Sequence, residues 1–391
     1  MLFQTLDDKS ECVGVYAGGS LHFDTIPAGL TKTWKYTGSI KDPAVEYAWI
    51  YAGGGTLEQS CPDELKEDWQ RCQKRFAAYR RAFEIGKIDL REHCFFDLVP
   101  STFLEDFCDV KNKITEHVFT NTERPENYDM LDGFQKLIHK IKYQNLNLNK
   151  EGCRQLYHST VGRRKVNELM KNHYYIDYNL FGTVTGRLTT RRNSFPILTL
   201  KKEFRKLVKP HNDWLVSLDY NGAEVRTLLH LSGYDQPKTD IHGWNVKHLF
   251  NQDVDRDTAK TLFFAWLYNP DSDAIETKYY DRKKVLDKWY DGDYISTPYK
   301  RKIKVDERRA LNYLIQSSTS DRVMSRAVEI DRFLEGKKSF VSHIVHDEIV
   351  IDFCDEDREH LKEMKQIFEV DDFSANLRAG KNYLELEELK V

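Results

Sequence analysis

The chain has 391 residues, 40% apolar and 13% aromatic, with a net charge of −3. That length suits two or three domains at about 150 residues each. The apolar content excludes a disordered chain, which lacks the residues to build a core. No run of 18 apolar residues occurs, so no membrane span is expected. The start, Met1 to Asp8, has no basic stretch or long apolar run, so no secretory signal is expected either. Seven cysteines (Cys12, Cys61, Cys72, Cys94, Cys108, Cys153 and Cys354) are scattered, with no C-x-x-C pair. An odd, dispersed set argues against a disulfide framework or zinc site and for a reducing cytosol.

In chain order, residues 1–55 read as β-rich. Glu11 to Tyr16 and Leu21 to Thr25 flank Ala17-Gly18-Gly19-Ser20, a hairpin signal. Residues 63–92 read as helix, with Trp69, Cys72, Phe76, Tyr79 and Phe83 at three- and four-residue steps. Residues 126–150 read as one or two helices, with Leu131, Phe134, Leu137, Ile138 and Ile141 as the apolar stripe. Beyond residue 174, short strand patterns alternate with helices. Domain boundaries are expected near 120–126 and near 150. Charge is uneven: residues 136–171 hold nine Lys and Arg against Glu151 and Glu168, and residues 191–209 hold seven against Glu203. Such segments suit a phosphate backbone, or are solvated helix faces, and charge alone favours the second.

Four stretches carry chemistry. In Trp214–Arg226 an apolar strand ends at Asp219 and a helix follows. A carboxylate there can bind a metal, because the strand fixes it and the turn exposes it. It can equally cap the helix, and alone the cap is favoured. In Ser339–Asp352 two β-branched runs flank His346-Asp347, so Asp347 and Glu348 fall at or beside a hairpin tip. In Arg256–Tyr268, Arg256, Lys260, Phe264 and Tyr268 recur every four residues. On a helix they form one slowly winding stripe, cations first and rings after, suited to a triphosphate, sugar and base. A partly buried helix with cations at one end reads the same way. In Phe181–Thr190 a small-residue turn presents Arg187.

These stretches stand in an order that resembles the family A DNA polymerases, those similar to bacterial DNA polymerase I and many phage replicases. Thr185-Gly186-Arg187-Leu188 comes first. Asp219 to Arg226 resembles motif A, and Asp240-Ile241-His242 the D-I-H after it. Arg256 to Tyr268 resembles motif B, R-x-x-x-K-x-x-x-F-x-x-x-Y. Asn312 to Ser318 resembles N-x-x-x-Q-G-[ST], and Val345-His346-Asp347-Glu348 matches motif C, V-H-D-E. The resemblance covers roughly residues 155–391. The chain departs from it at Gly222, where a Gln is usual, at Phe263 and Asn269, and over Asn193–Leu198.

The resemblance implies an α+β right-hand fold of palm, fingers and thumb behind a small N-terminal β-rich and helical region. Residues 1–120 would be that region and 121–175 the thumb and palm entry. The palm would hold 176–234 and 301–391, and the fingers 235–300. The implied activity is template-directed DNA synthesis on primer-template DNA from dNTPs. The implied cofactor is two Mg²⁺ ions, with Mn²⁺ as a substitute, on Asp219, Asp347 and the carbonyl of Tyr220. Asp219, Asp347 and Lys260 would be catalytic. Arg256, Lys260, Phe264, Tyr268, His242 and Glu224 would bind the dNTP, and Arg187, Gln316, Asn312, His346 and Arg308 the DNA. Glu348 would be a nearby helper. A single-subunit RNA polymerase or a non-catalytic DNA-binding relative are the alternatives. Glu224 would crowd a ribose 2′-hydroxyl, and neither Asp219 nor Asp347 has been lost. Residues 1–120 hold no D-x-E on a strand and are too few for an exonuclease domain of about 190 residues. No proofreading is expected, which suggests a phage or viral replicase. A separate exonuclease or replisome protein is a candidate partner. Trp34, Tyr36, Tyr47, Trp49 and Tyr51 are either its docking surface or, more readily, the core of a β-layer.

Overall fold

The computed structural model describes residues 1–7, 14–90, 92–171, 174–250, 253–275 and 277–390. The chain divides into two compact units, Met1–Tyr143 and Gln144–Val391. The segment expected as thumb and palm entry, 121–175, is shared between them.

In the first unit, β1 (Phe3–Thr5), β2 (Val15–Ala17) and β3 (Ser20–His22) form an antiparallel sheet in that order. The expected hairpin is present, shorter than its sequence pattern; Glu11 to Val13 and Cys12 lie outside the described residues. Gly18 and Gly19 both take positive φ (59° and 81°), the geometry of a two-residue turn that matches strand twist. Three long helices follow, after a single turn at Ala48–Tyr51: α1 (Lys66–Ile85), α2 (Ser101–Asn121) and α3 (Tyr128–Lys142). α1 buries Trp69 and Cys72, and its Phe76, Tyr79 and Phe83 pack on a core of Leu6, Phe95, Phe103 and Leu104. The whole expected stripe of α3 is buried. Trp34, Tyr47 and Trp49 are sealed inside as well, and Tyr47 donates its N–H to the hydroxyl of Tyr128 at 2.8 Å. Tyr36 meets Tyr47 edge-on and Tyr51 meets Tyr128 likewise. Trp34, Tyr47 and Trp49 thus fill a core and have no surface to dock with, whereas Tyr36 and Tyr51 are half-buried at its edge.

The second unit is built on a five-stranded antiparallel sheet. Its members are β4 (Trp214–Tyr220), β5 (Phe340–Val345), β6 (Glu348–Phe353), β7 (Ala375–Gly380) and β8 (Glu387–Glu388), in the order β5-β6-β4-β7-β8. β4 is central and almost wholly buried, which is why it reads as a continuous apolar run rather than an alternating one. A basic helix, Thr160–Lys171, precedes the sheet. Helices α4 (Ala223–Leu231), α5 (Ile241–His248) and α6 (Arg256–Tyr268) follow β4, and α7 (Glu307–Phe333) leads into β5. Leu228 and Leu229 of α4, Ile241 of α5, Phe263, Trp266 and Leu267 of α6 and Leu314 and Ile315 of α7 share one core. The architecture is α+β, as expected.

Candidate active site

The sheet brings the two acidic motifs together. β4 pairs antiparallel with β6, setting Asp219 opposite Glu348, and β6 pairs with β5, setting Glu348 opposite Val345. His346 and Asp347 are therefore the tip of the hairpin beside the end of β4. His346 takes φ of 56°, a left-handed conformation that costs a residue with a Cβ about 1 kcal/mol.

Asp219 and Asp347 line one cleft of about 470 Å³, within the usual range of roughly 300–1,000 Å³ for small-molecule sites. Burial pushes the Asp219 carboxyl up to about 7, helped by the charges of Asp347 and Glu348; Arg378 and Arg205 oppose this. Burial raises Asp347 too. Neither carboxylate has an ion-pair partner among the described residues. Two partly desolvated carboxylates facing one cleft are an arrangement that a cation relieves.

The opposite wall comes from α6. Its Ala259, Phe263, Trp266 and Leu267 are buried, so Arg256, Lys260 and Phe264 turn to the cleft. Phe263 is thus a core residue, packed on Trp266 and Tyr280. Tyr268 stacks on Phe264, with centroids 5.9 Å apart and planes 14° from parallel. Lys260 is exposed. Arg256 is not free: it forms a bidentate pair with Asp240, Nε to Oδ2 at 2.9 Å and a terminal nitrogen to Oδ1 at 2.8 Å. Asp240 also caps α5 through the N–H of Gly243 and accepts from Asn221. Burial alone would raise the Asp240 carboxyl, but these bonds outweigh it and hold it well below the usual range. His242 lines the cleft; burial and the nearby Lys260 and Arg256 depress it to about 4, against the pull of Asp240. It is neutral at pH 7, with Nδ1 buried and unpartnered.

Glu224, at the start of α4, joins the two walls. Arg187 and the hydroxyl of Tyr268 both donate to its carboxylate. Arg187 is aimed by its turn. Gly186 takes φ of 76°, and a Cβ there would lie 2.7 Å from the guanidinium carbon of Arg301. Arg301 forms a bidentate pair with Asp321 of α7, whose side chains are 11% and 1% exposed, and Ser320 donates to the carbonyl of Gly186 at 3.0 Å. At Gly222, φ is 70° and a Cβ would meet Ile241 at 2.5 Å and His242 Nε2 at 3.3 Å. The departure from Gln at this position thus goes with α5 seated against the turn.

Gln316, Asn312 and Arg308 lie along the N-terminal half of α7, outside the lining of this cleft; Arg308 is exposed and 3.5 Å from Asp271. His346 and Tyr220 belong to the lining. Sequence reasoning missed Arg301, Asp321, Arg378 and the structural work of Arg226. The Arg226 side chain is fully buried and donates to the carbonyls of Asn221, Pro237 and Thr239, folding the loop that carries Asp240.

No protein-family model matches the chain. Among curated proteins it is 26% identical over 227 residues to the thermostable DNA polymerase I of Thermus aquaticus, covering 45% of this chain and 27% of that one. It is 28% identical over 236 residues to DNA polymerase I of Lactococcus lactis (46% and 27%) and 31% identical over 111 residues to that of a Synechocystis species (24% and 11%). The chain spans less than a third of the length of these relatives. Among solved structures it is similar to the POL domain of Pol1 from M. smegmatis, in complex with DNA primer-template and dNTP. That likeness has a TM-score of 0.58 over 72% of this chain and 75% of that one, at 14% identity. The fold matches a DNA polymerase I polymerase domain, and the sequence relationship is distant.

Proposed function

We propose that this chain is a template-directed DNA polymerase, adding deoxynucleotides to a primer 3′-hydroxyl with release of pyrophosphate. The observation that carries the reading is the cleft itself. It gathers Asp219, Asp347, Lys260, Arg256 and Glu224, from segments far apart in sequence, around one space. In this reading the five-stranded sheet is the palm, α5 and α6 belong to the fingers, and the basic residues 144–171 contribute to the grip on duplex.

Asp219, Asp347 and the carbonyl of Tyr220 would hold two Mg²⁺ ions, with Mn²⁺ as a substitute. The residues fit: both carboxylates are raised by burial, face the cleft and have no ion-pair partner among the described residues. No group of three or more His, Cys, Asp or Glu forms a metal cage among the described residues. So few protein ligands suit a cation that keeps water and substrate phosphates in its shell. Bound there, the pair would supply charge neutralisation at the attacking hydroxyl and the leaving pyrophosphate.

The chain's own groups do the rest. Exposed Lys260 holds the triphosphate and can pass a proton to the departing pyrophosphate. Arg256 joins it by exchanging its bidentate pair with Asp240 for one with a phosphate, a trade between similar bonds. Neutral His242 contributes an N–H rather than a charge. The stacked Phe264 and Tyr268 offer flat surfaces for sugar and base. Glu224, pinned by Arg187 and Tyr268, stands where a ribose 2′-hydroxyl would crowd it, favouring dNTPs. Arg187, His346, Gln316, Asn312 and Arg308 are proposed DNA contacts.

Primer extension on a defined template, with dNTPs and rNTPs in parallel, tests the reading. Extension is expected with dNTPs, with loss in Asp219→Ala while duplex binding persists. No extension with either set, or extension surviving Asp219→Ala, overturns it. Preference for rNTPs would move the chain to the RNA polymerase alternative.

A further inference from the structure

Three carboxylates crowd the end of the sheet, but only two face the cleft. Asp219 and Asp347 line it, whereas Glu348, directly across the ladder from Asp219, does not. Both oxygens of Glu348 are occupied. The hydroxyl of Ser217 donates to Oε1 at 2.5 Å, and that of Tyr383 donates to Oε2 at 2.6 Å. Tyr383 is itself well anchored. It is 1% exposed, and its backbone N–H donates to the carbonyl of Val208 at 3.0 Å. Its ring meets His343 edge-on at 5.0 Å, and the guanidinium of Arg205 lies 4.7 Å from its centroid. Ser217 is fully buried on β4, two residues before Asp219 and on the same side of the strand.

We propose that Tyr383, acting with Ser217, is a positioning residue that holds Glu348 away from the cation site, so that the end of the sheet presents two carboxylates to the cations and not three, while Glu224 of the same cleft is tied to Arg187 and Tyr268. The chemistry of the clamp supports this. Oxygen-ligand sites tighten as carboxylates are added, and a third one would compete with substrate phosphates for places around the cation. An Arg or Lys could also restrain Glu348, but would bring a positive charge beside the cations. Two neutral hydroxyls restrain it through short charge-assisted bonds and add no cation to the Arg205 and Arg378 that already act on Asp219. The inference rests on reading Asp219 and Asp347 as the cation pair.

Tyr383→Phe keeps the ring and the backbone bond and removes only the donor. The measurement is Mn²⁺ binding to the full chain, free of DNA and nucleotide, by electron paramagnetic resonance. Tyr383→Phe is expected to bind Mn²⁺ at least about fivefold tighter, since the freed Glu348 becomes a ligand. The double variant Tyr383→Phe/Glu348→Gln should return to the wild-type affinity. Ser217→Ala, which releases the other oxygen, should give a smaller gain that Glu348→Gln also cancels. An unchanged affinity in Tyr383→Phe, or a gain that survives Glu348→Gln, overturns the inference. Asp219→Asn separates the two readings. Mn²⁺ bound as before by Asp219→Asn overturns the cation pair and the clamp together. Mn²⁺ lost in Asp219→Asn, with Tyr383→Phe unchanged, overturns the clamp alone.

Discussion

Replacing Asp219 by Asn should make the cation-free chain more stable, and increasingly so as pH rises. The carboxyl ionises at an ordinary 3.8 in the unfolded chain and at about 7 in the folded one, chiefly through burial and then through Asp347. Both states hold the proton below 3.8, so nothing is lost there. Between 3.8 and about 7 only the unfolded state ionises freely, and stability falls; above 7 the loss is complete. At about 1.4 kcal/mol per pH unit, the full displacement is worth about 4 kcal/mol at pH 8 and about 1.5 kcal/mol at pH 5. Asn has nearly the same shape and no charge to desolvate. Urea melts in EDTA should therefore show Asp219→Asn ahead of wild type at both pH values, with the gap widening by about 2.5 kcal/mol from pH 5 to pH 8. Added Mg²⁺ should narrow the gap at pH 8 by stabilising wild type alone. A variant no more stable than wild type at pH 8, or a gap that does not widen with pH, would refute the reasoning.

Lys260→Ala should raise the Michaelis constant for dNTP and slow incorporation. A fall in kcat/KM of about tenfold or more is expected for one lost charged donor, and steady-state kinetics would show its absence. Glu224→Ala should release Arg187 and Tyr268 and raise rNTP incorporation relative to dNTP, read from competitive extension; an unchanged ratio would remove Glu224 from sugar selection. Gly186→Ala should destabilise by about 2–4 kcal/mol, because a left-handed φ and the Arg301 guanidinium both exclude a Cβ; urea melts measure it. With Mg²⁺ and a mismatched 3′ primer end, the purified chain should excise nothing, and steady excision would reveal a nuclease built without a D-x-E motif.

What could be read from sequence was what a local pattern encodes. The strand ending at Asp219 and the hairpin around His346-Asp347 are runs of apolar, β-branched residues broken by polar ones, and such runs have few other structures open to them. The four-residue spacing along α6 gave Arg256, Lys260 and Phe264 on the cleft side for the same reason, while Tyr268 falls outside the lining and is joined to it through Glu224. α2 was missed although Phe103, Phe107, Val110, Ile114 and Val118 carry helical spacing after Pro100. The pairing of Arg256 with Asp240, and of Arg301 with Asp321, has no local signature. Each joins residues 16 or 20 positions apart, and nothing short of the tertiary fold selects the partner. The aromatic residues near Trp34 and Trp49 could have lain outside or inside, since composition carries no direction; packing against α3 decided it.

The ladder that sets Asp219 beside the Asp347 turn also sets the terms on which this chain can change length. Successive side chains on a strand alternate between faces, so one residue gained or lost within β4, β5 or β6 would invert everything beyond it. Asp219 would turn to the face it now avoids, or His346 or Glu348 would arrive where Asp347 stands. The register irregularity between Val341 and His343 already spends one residue without pairing it, at a fixed point four residues before the tip. Length variation is thus closed to the three strands and open to the loops between helices, where added residues leave the face of every carboxylate untouched.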